Sequence, residues 1–120
     1  DFDNDVDTDV FVWSSESYTG GRLFRNDTVG SNFLKVLLAG LPPNTAASGA
    51  RVHATIGEQT QMREVMITSN FISQAPVEHL FGLGVASQVD ALTIEWPNGK
   101  ISEFGPVSSN QVLFVNEADQ

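Results

Sequence analysis

Cysteine is absent from the 120 residues, which excludes a disulfide framework, a thiol nucleophile and a thiolate metal site. Basic residues are scarce as well. Six Lys and Arg stand against fifteen Asp and Glu, for a net charge of −9. Such a field repels phosphate backbones, so nucleic acid is excluded as a partner. Long apolar runs are missing too: the longest, Val36 to Leu41, contains Ala39 and Gly40 and abuts Lys35. A membrane-spanning helix needs about 20 apolar residues, so no span is expected. No stripe of helical period appears either.

What is present is a set of short runs rich in Val, Ile and Phe, separated by Gly, Asn, Ser and Pro clusters. That is the pattern of β-strands between turns. The runs are Val10 to Trp13, Arg22 to Asn26, Asn32 to Ala39, Ala50 to Ile56, Gln59 to Thr68, Val89 to Trp96, Lys100 to Phe104 and Gln111 to Asn116. Seven to eight short strands predict an all-β fold, an antiparallel β-sandwich or small barrel. Two hairpins are expected. Asn98-Gly99 supplies positive φ angles for a turn between Trp96 and Lys100, and Gly57-Glu58 joins Val52-x-Ala54-x-Ile56 to the run from Met62 to Ile67. The slip of alternation after Met62 predicts a bulge. Phe33, Phe81, Trp96 and Phe114 lie in or beside apolar runs and are expected in the core.

The acidity is local. Asp1, Asp3, Asp5, Asp7 and Asp9 fall within nine residues, and the remaining ten acids against six bases leave an ordinary −4. Calcium takes six to eight hard oxygens, and carboxylates on alternate residues of a tight loop can point inward together. This spacing predicts a Ca2+ loop with Asp1, Asp3, Asp5 and Asp9 ligating through carboxylates and Asp7 through its backbone carbonyl. A solvated acidic terminus and a disordered leader are the competing readings. A strand follows the loop directly, which an acidic tail does not require. Opening at Asp1 rather than Met reads as a processed or excised product.

The loop resembles the calcium loop of FG-GAP/VCBS propeller repeats, Asp-x-Asp-x-Asp-Gly-x-x-Asp followed by a hydrophobic strand. Val6 stands where that pattern has glycine, and a β-branched side chain suits the left-handed conformation poorly. From Asn32 on, a second likeness runs through Lys35-Val36, Leu38, Gly40, Asn44, Ser48-Gly49-Ala50-Arg51-Val52 and Gln61-Met62-Arg63-Glu64-Val65. It continues through Ser73-Gln74, Phe81-Gly82-Leu83-Gly84, Val89-Asp90, Trp96-Pro97-Asn98-Gly99 and Asn110-Gln111-Val112 with Glu117. In that order these motifs resemble the ASPIC/UnbV domain, a module found after FG-GAP/VCBS repeats in secreted bacterial proteins and in an animal cartilage protein. The pattern has His directly before Phe-Gly-Leu-Gly; here Leu80 takes that place and His79 precedes it. The resemblance implies two parts, an acidic loop, strand and linker over residues 1–31 and a β domain over 32–120, in a secreted or cell-surface protein.

Catalysis has little to stand on. His53 and His79 have no cysteine and no spaced metal set beside them, and no nucleophile-elbow pattern surrounds Ser73 or Ser87. The expectation is therefore a protein that is not an enzyme. It is a structural or interaction module, held by calcium and self-assembling into a fibre by addition of the Val10 to Trp13 strand to a neighbour. The alternative is an adhesion domain for another extracellular protein or a glycan, for which Trp13, Tyr18 and Trp96 are weighed as sugar platforms against ordinary packing. Asn26-Asp27-Thr28 fits an N-glycosylation sequon.

Overall fold

The computed structural model describes residues 2–3, 5–13, 20–28, 30–68 and 73–120. Among these the fold is all-β, with strands β1 (Val10–Trp13), β2 (Gly21–Phe24), β3 (Asn32–Ala39), β4 (Arg51–Ile56), β5 (Gln59–Glu64), β6 (His79–Gly84), β7 (Gln88–Val89), β8 (Ala91–Glu95), β9 (Ile101–Phe104), β10 (Val107–Ser108) and β11 (Gln111–Asn116). A short 3-10 turn, Glu117–Asp119, follows the last strand. None of the helical structure described is long and apolar enough to cross a membrane. The chain divides into two compact units, residues 1–31 and 32–120.

The larger unit is sandwich-like. One sheet has the order β11-β3-β6 and the other β5-β4-β8-β9, with a small β10-β7 pair beside them. Alternation along each strand sends one row inward. Leu34 and Val36 of β3, Phe81 and Leu83 of β6 and Val115 of β11 meet Val52 and Ala54 of β4 and Leu92 and Ile94 of β8 in a single buried cluster. The outward rows are polar on much of the four-stranded sheet, as a half-buried sheet requires, whereas β11 turns Val112 and Phe114 outward. Trp96 closes this core at 3% exposure, its Nε1 donating to Ser102 Oγ at 2.8 Å. That bond satisfies the one polar atom of a buried indole.

Both expected hairpins form. β8 and β9 pair antiparallel around Gly99, whose φ of 87° is the left-handed value the turn demands. β4 and β5 pair around Gly57. The bulge predicted after Met62 is absent, and the register runs unbroken from Arg51↔Glu64 to Ile56↔Gln59. Met62 simply faces outward, whereas Val65, three residues on, faces inward beyond the strand end and is buried. A register shift occurs instead between Asn32 and Phe33, opposite the Gly82–Gly84 end of β6.

Several other elements depart from expectation. β6 is absent from the expected runs, because two of its six residues are glycine and its inward row starts with a histidine. The short β7 and β10 give no periodic signal at two residues each, so the described strands number eleven rather than seven or eight. Nor is the sandwich wholly antiparallel: β11 runs parallel to β3, from Gln111↔Leu34 to Asn116↔Ala39. Phe114 is 64% exposed, since Leu113 and Val115 hold the inward parity of β11. Phe33 is only half-buried. Phe81 and Trp96 are core residues as expected.

The smaller unit is a two-stranded ribbon. β1 pairs with β2, from Val10↔Phe24 to Trp13↔Gly21, so β1 finds a partner inside its own chain rather than only in a neighbour. The segment between them is long enough to return the chain, and residues 14–19 of it, with Tyr18, lie outside the described residues. Gly21 admits the Phe11 ring, which a Cβ there would meet at 2.5 Å.

The inward row of β6 and the outward row of β11 predict opposite responses to truncation. Phe81→Ala should cost roughly 3–5 kcal/mol in urea unfolding, whereas Phe114→Ala should stay within about 0.5 kcal/mol.

Candidate functional site

In the smaller unit, each aspartate of the acidic loop other than Asp1, which lies outside the described residues, can be placed. Asp5 Oδ1 accepts from the Asp7 N–H at 2.9 Å, an Asx turn. Between them Val6 takes φ of 74°, so the residue standing at the glycine position adopts the left-handed conformation despite its branched Cβ, at a cost of about 1–3 kcal/mol. Asp9 ties the loop to its surroundings: Oδ2 accepts from the Phe2 N–H at 2.5 Å and Oδ1 from the Asn26 N–H at 2.8 Å. The Phe2 bond first, and then the Asn26 bond, hold the Asp9 carboxyl below its ordinary value. Asp3 lies 3.7 Å from Arg25 Nη1, and Arg25 Nη2 meets Asp27 at 2.7 Å.

The loop is thus curled and rich in hard oxygens, a donor chemistry that fits calcium. Among the described residues no three acidic or histidine side chains gather closely enough to hold a metal ion. Asp5 Oδ1 and both Asp9 oxygens accept from backbone N–H groups. At the exit of β2, Asn26 Oδ1 accepts from Thr28 N–H at 3.1 Å and Thr28 Oγ1 at 2.6 Å.

The ribbon after the loop is exposed at all eight strand positions, with Trp13 at 68%. Trp13 is therefore not a packing residue, unlike Trp96. An open hollow of about 340 Å³ is lined by Phe2, Asp9, Phe11 and Leu23.

In the larger unit, the motif residues turn out to be stitches between elements. Asn110, at φ 58°, grips both backbone groups of Phe33: its N–H donates to Phe33 O at 2.6 Å and its Oδ1 accepts from Phe33 N–H at 3.2 Å. Its Nδ2 donates to Asn32 Oδ1 at 2.8 Å, and Asn32 Nδ2 to Ala86 O at 2.9 Å. Asn44 spans its own turn through Ser48. At the far end, Glu117 is 4% exposed. Its Oε2 accepts from the Leu41 N–H at 3.0 Å and its Oε1 from Asn98 Nδ2 at 2.6 Å.

Glu117 received no role from the motif reading. The signal was available, for Leu113, Val115 and Glu117 share one inward parity, and an acid at the third such position must be held by donors.

The two histidines sit apart. His53 faces outward on β4 with Nε2 3.4 Å from Glu95 Oε1. His79 is buried in the inward row of β6, near Arg63, whose guanidinium lies 5.2 Å from the centre of the Phe81 ring. Asp90 accepts from Gly57 N–H and Gln88 Nε2, and neither His79 nor Ser73 is among its partners.

These features define an all-β, two-sheet module whose buried polar side chains serve as ties between strands and turns. Residues 40–120 match the family model described as ASPIC and UnbV, and the chain belongs to that family. No curated protein matches the chain. The match begins within the larger unit and includes none of the acidic loop, whose likeness to FG-GAP/VCBS repeats rests on its own motif.

Burial first, and then the Arg63 charge, hold the His79 imidazole below its ordinary value of 6.5. As pH falls, the unfolded chain therefore takes up a proton before the folded one. Stability should be complete above pH 6.5 and decline as pH drops below it. His79→Gln should flatten the urea midpoint between pH 6.5 and about pH 5.5.

Proposed function

We propose that the chain is a non-catalytic extracellular structural and interaction module that associates with further copies through its β1–β2 ribbon, under control of calcium at the acidic loop. The observation that carries this reading is the ribbon itself. A two-stranded hairpin is marginal alone in water. This one exposes Phe11, Trp13 and Leu23 on one face and Val10, Val12 and Phe24 on the other, apolar area of the kind that marks interaction sites. Its outer edges offer backbone donors and acceptors for strand addition.

Asp1, Asp3, Asp5 and Asp9 would supply carboxylates and Asp7 its carbonyl. When bound, calcium supplies the charge that relieves repulsion among the five aspartates, both within the loop and between approaching copies. The family membership and the likeness to modules that follow propeller repeats support the extracellular setting. A second reading, an adhesion domain for a glycan or another protein, is favoured by one observation, the exposed Trp13 ring beside Phe11.

Calcium titration should be followed by calorimetry and by Trp13 emission, with Trp96 as the buried internal reference. Saturable binding that Asp3→Ala and Asp5→Ala abolish and Glu58→Ala leaves intact is expected. A chain at a hundredfold excess of calcium over Kd should gain about 2.7 kcal/mol in the opening of the loop; absence of any heat or spectral change would refute the metal role.

Light scattering at rising concentration should show association in calcium and its loss in chelator. Removing residues 1–31 should leave a folded monomer, because the buried cluster lies wholly within the larger unit. A full-length chain that stays monomeric at millimolar concentration with calcium would refute self-association and leave the adhesion reading.

A further inference from the structure

A buried carboxylate of the larger unit lies in a cleft. Glu117 lines a space of about 250 Å³ together with Leu41, Pro42, Pro43, Pro97 and Asn98. Three of these walls are prolyl rings, which offer flat apolar faces and no N–H donors. The two donors that reach the carboxylate, Leu41 N–H and Asn98 Nδ2, are both neutral. None of the ion pairs among the described residues involves Glu117. The Lys100 ammonium is spent on carbonyls: it donates to Glu117 O at 3.5 Å and to Gln120 O.

A carboxylate 4% exposed with neutral donors only is an unusual resting state, because a buried charge is costly unless an opposite charge faces it. Each oxygen accepts one hydrogen bond and keeps a further acceptor direction. We propose that this cleft receives the arginine side chain of a partner protein. The guanidinium would meet the Glu117 carboxylate, and its stem and flat head would lie against Pro42, Pro43 and Pro97. Arginine fits better than lysine for two reasons. Its planar fork pairs with a carboxylate through two parallel bonds, and it is more weakly hydrated, so an apolar-walled cleft strips less water from it. The site shares no residue with the ribbon or the acidic loop, so it stands or falls independently of self-association and calcium.

The test is an amide NMR titration of the intact chain with N-acetyl-arginine amide, in chelator so that calcium plays no part. The Leu41 N–H and the Asn98 side-chain amide signals should move saturably. N-acetyl-citrulline amide, the same shape without the charge, should leave them in place, and the lysine probe should bind more weakly. Glu117→Gln should weaken the arginine response roughly tenfold or more. Arginine and citrulline shifting the signals alike would overturn the proposal, as would an absence of saturable shifts or a folded Glu117→Gln chain that binds arginine unchanged. Equal binding of lysine would overturn the guanidinium assignment. The citrulline comparison uses the unaltered chain, so the test holds even if the Glu117→Gln substitution prevents folding.

Discussion

The fold of the larger unit depends on one long-range pairing, that of β11 with β3 in parallel. Parallel neighbours cannot be joined by a tight turn, and here all of β4 to β10 intervenes between the two strands. The last strand must therefore be located by contacts at its ends as well as by its ladder. Asn110 does this at one end by holding the Phe33 backbone. Glu117 does it at the other, joining the exit of β3 at Leu41 to the β8–β9 turn at Asn98. Once β11 is fixed, Leu113 and Val115 complete the inward face of their sheet, and the apolar rows of both sheets close on one another.

The two units use the same β vocabulary to opposite ends. In the larger one, the buried apolar side chains of both main sheets touch in a single cluster, so its stability is cooperative and concentrated. The ribbon buries none of its strand residues and relies on eight residues of pairing, the Phe11 ring over Gly21 and the Asp9 ties. Segments with few buried contacts open at low cost. That is a liability for a free-standing element and an advantage for one whose partner arrives later.

How far the residues alone revealed this differs from strand to strand. β1, β3 and β11 were legible to their ends because each is a run of Val, Leu and Phe between polar breaks. The β8–β9 hairpin was legible because Asn-Gly supplies the positive φ its turn needs. β6 was not, since two of its six residues are glycine: pairing with β3 keeps Gly82 in the strand, while Gly84, at φ 59°, turns the chain at its end. The bulge inferred after Met62 failed for a related reason. An edge strand can turn a methionine to solvent without breaking its register, and alternation of hydrophobicity does not see which edge is free. At the acidic loop, the five aspartates and their spacing were plain. That Asp9 spends both oxygens on backbone N–H groups was not, because those donors come from positions 7 and 17 residues away.

Composition and period-2 patterning by themselves determined the all-β class, the two hairpin turns and the local origin of the acidity, since each follows from interactions between residues near in sequence or from hydrophobicity alone. Only the tertiary structure decided the parallel course of β11, the exposure of Phe114 and the use of Asn110 and Glu117 as ties. These depend on which strands become neighbours and on which parity faces the core. That choice is made by burying all the inward rows at once, a property of the assembled sheets that no single segment carries.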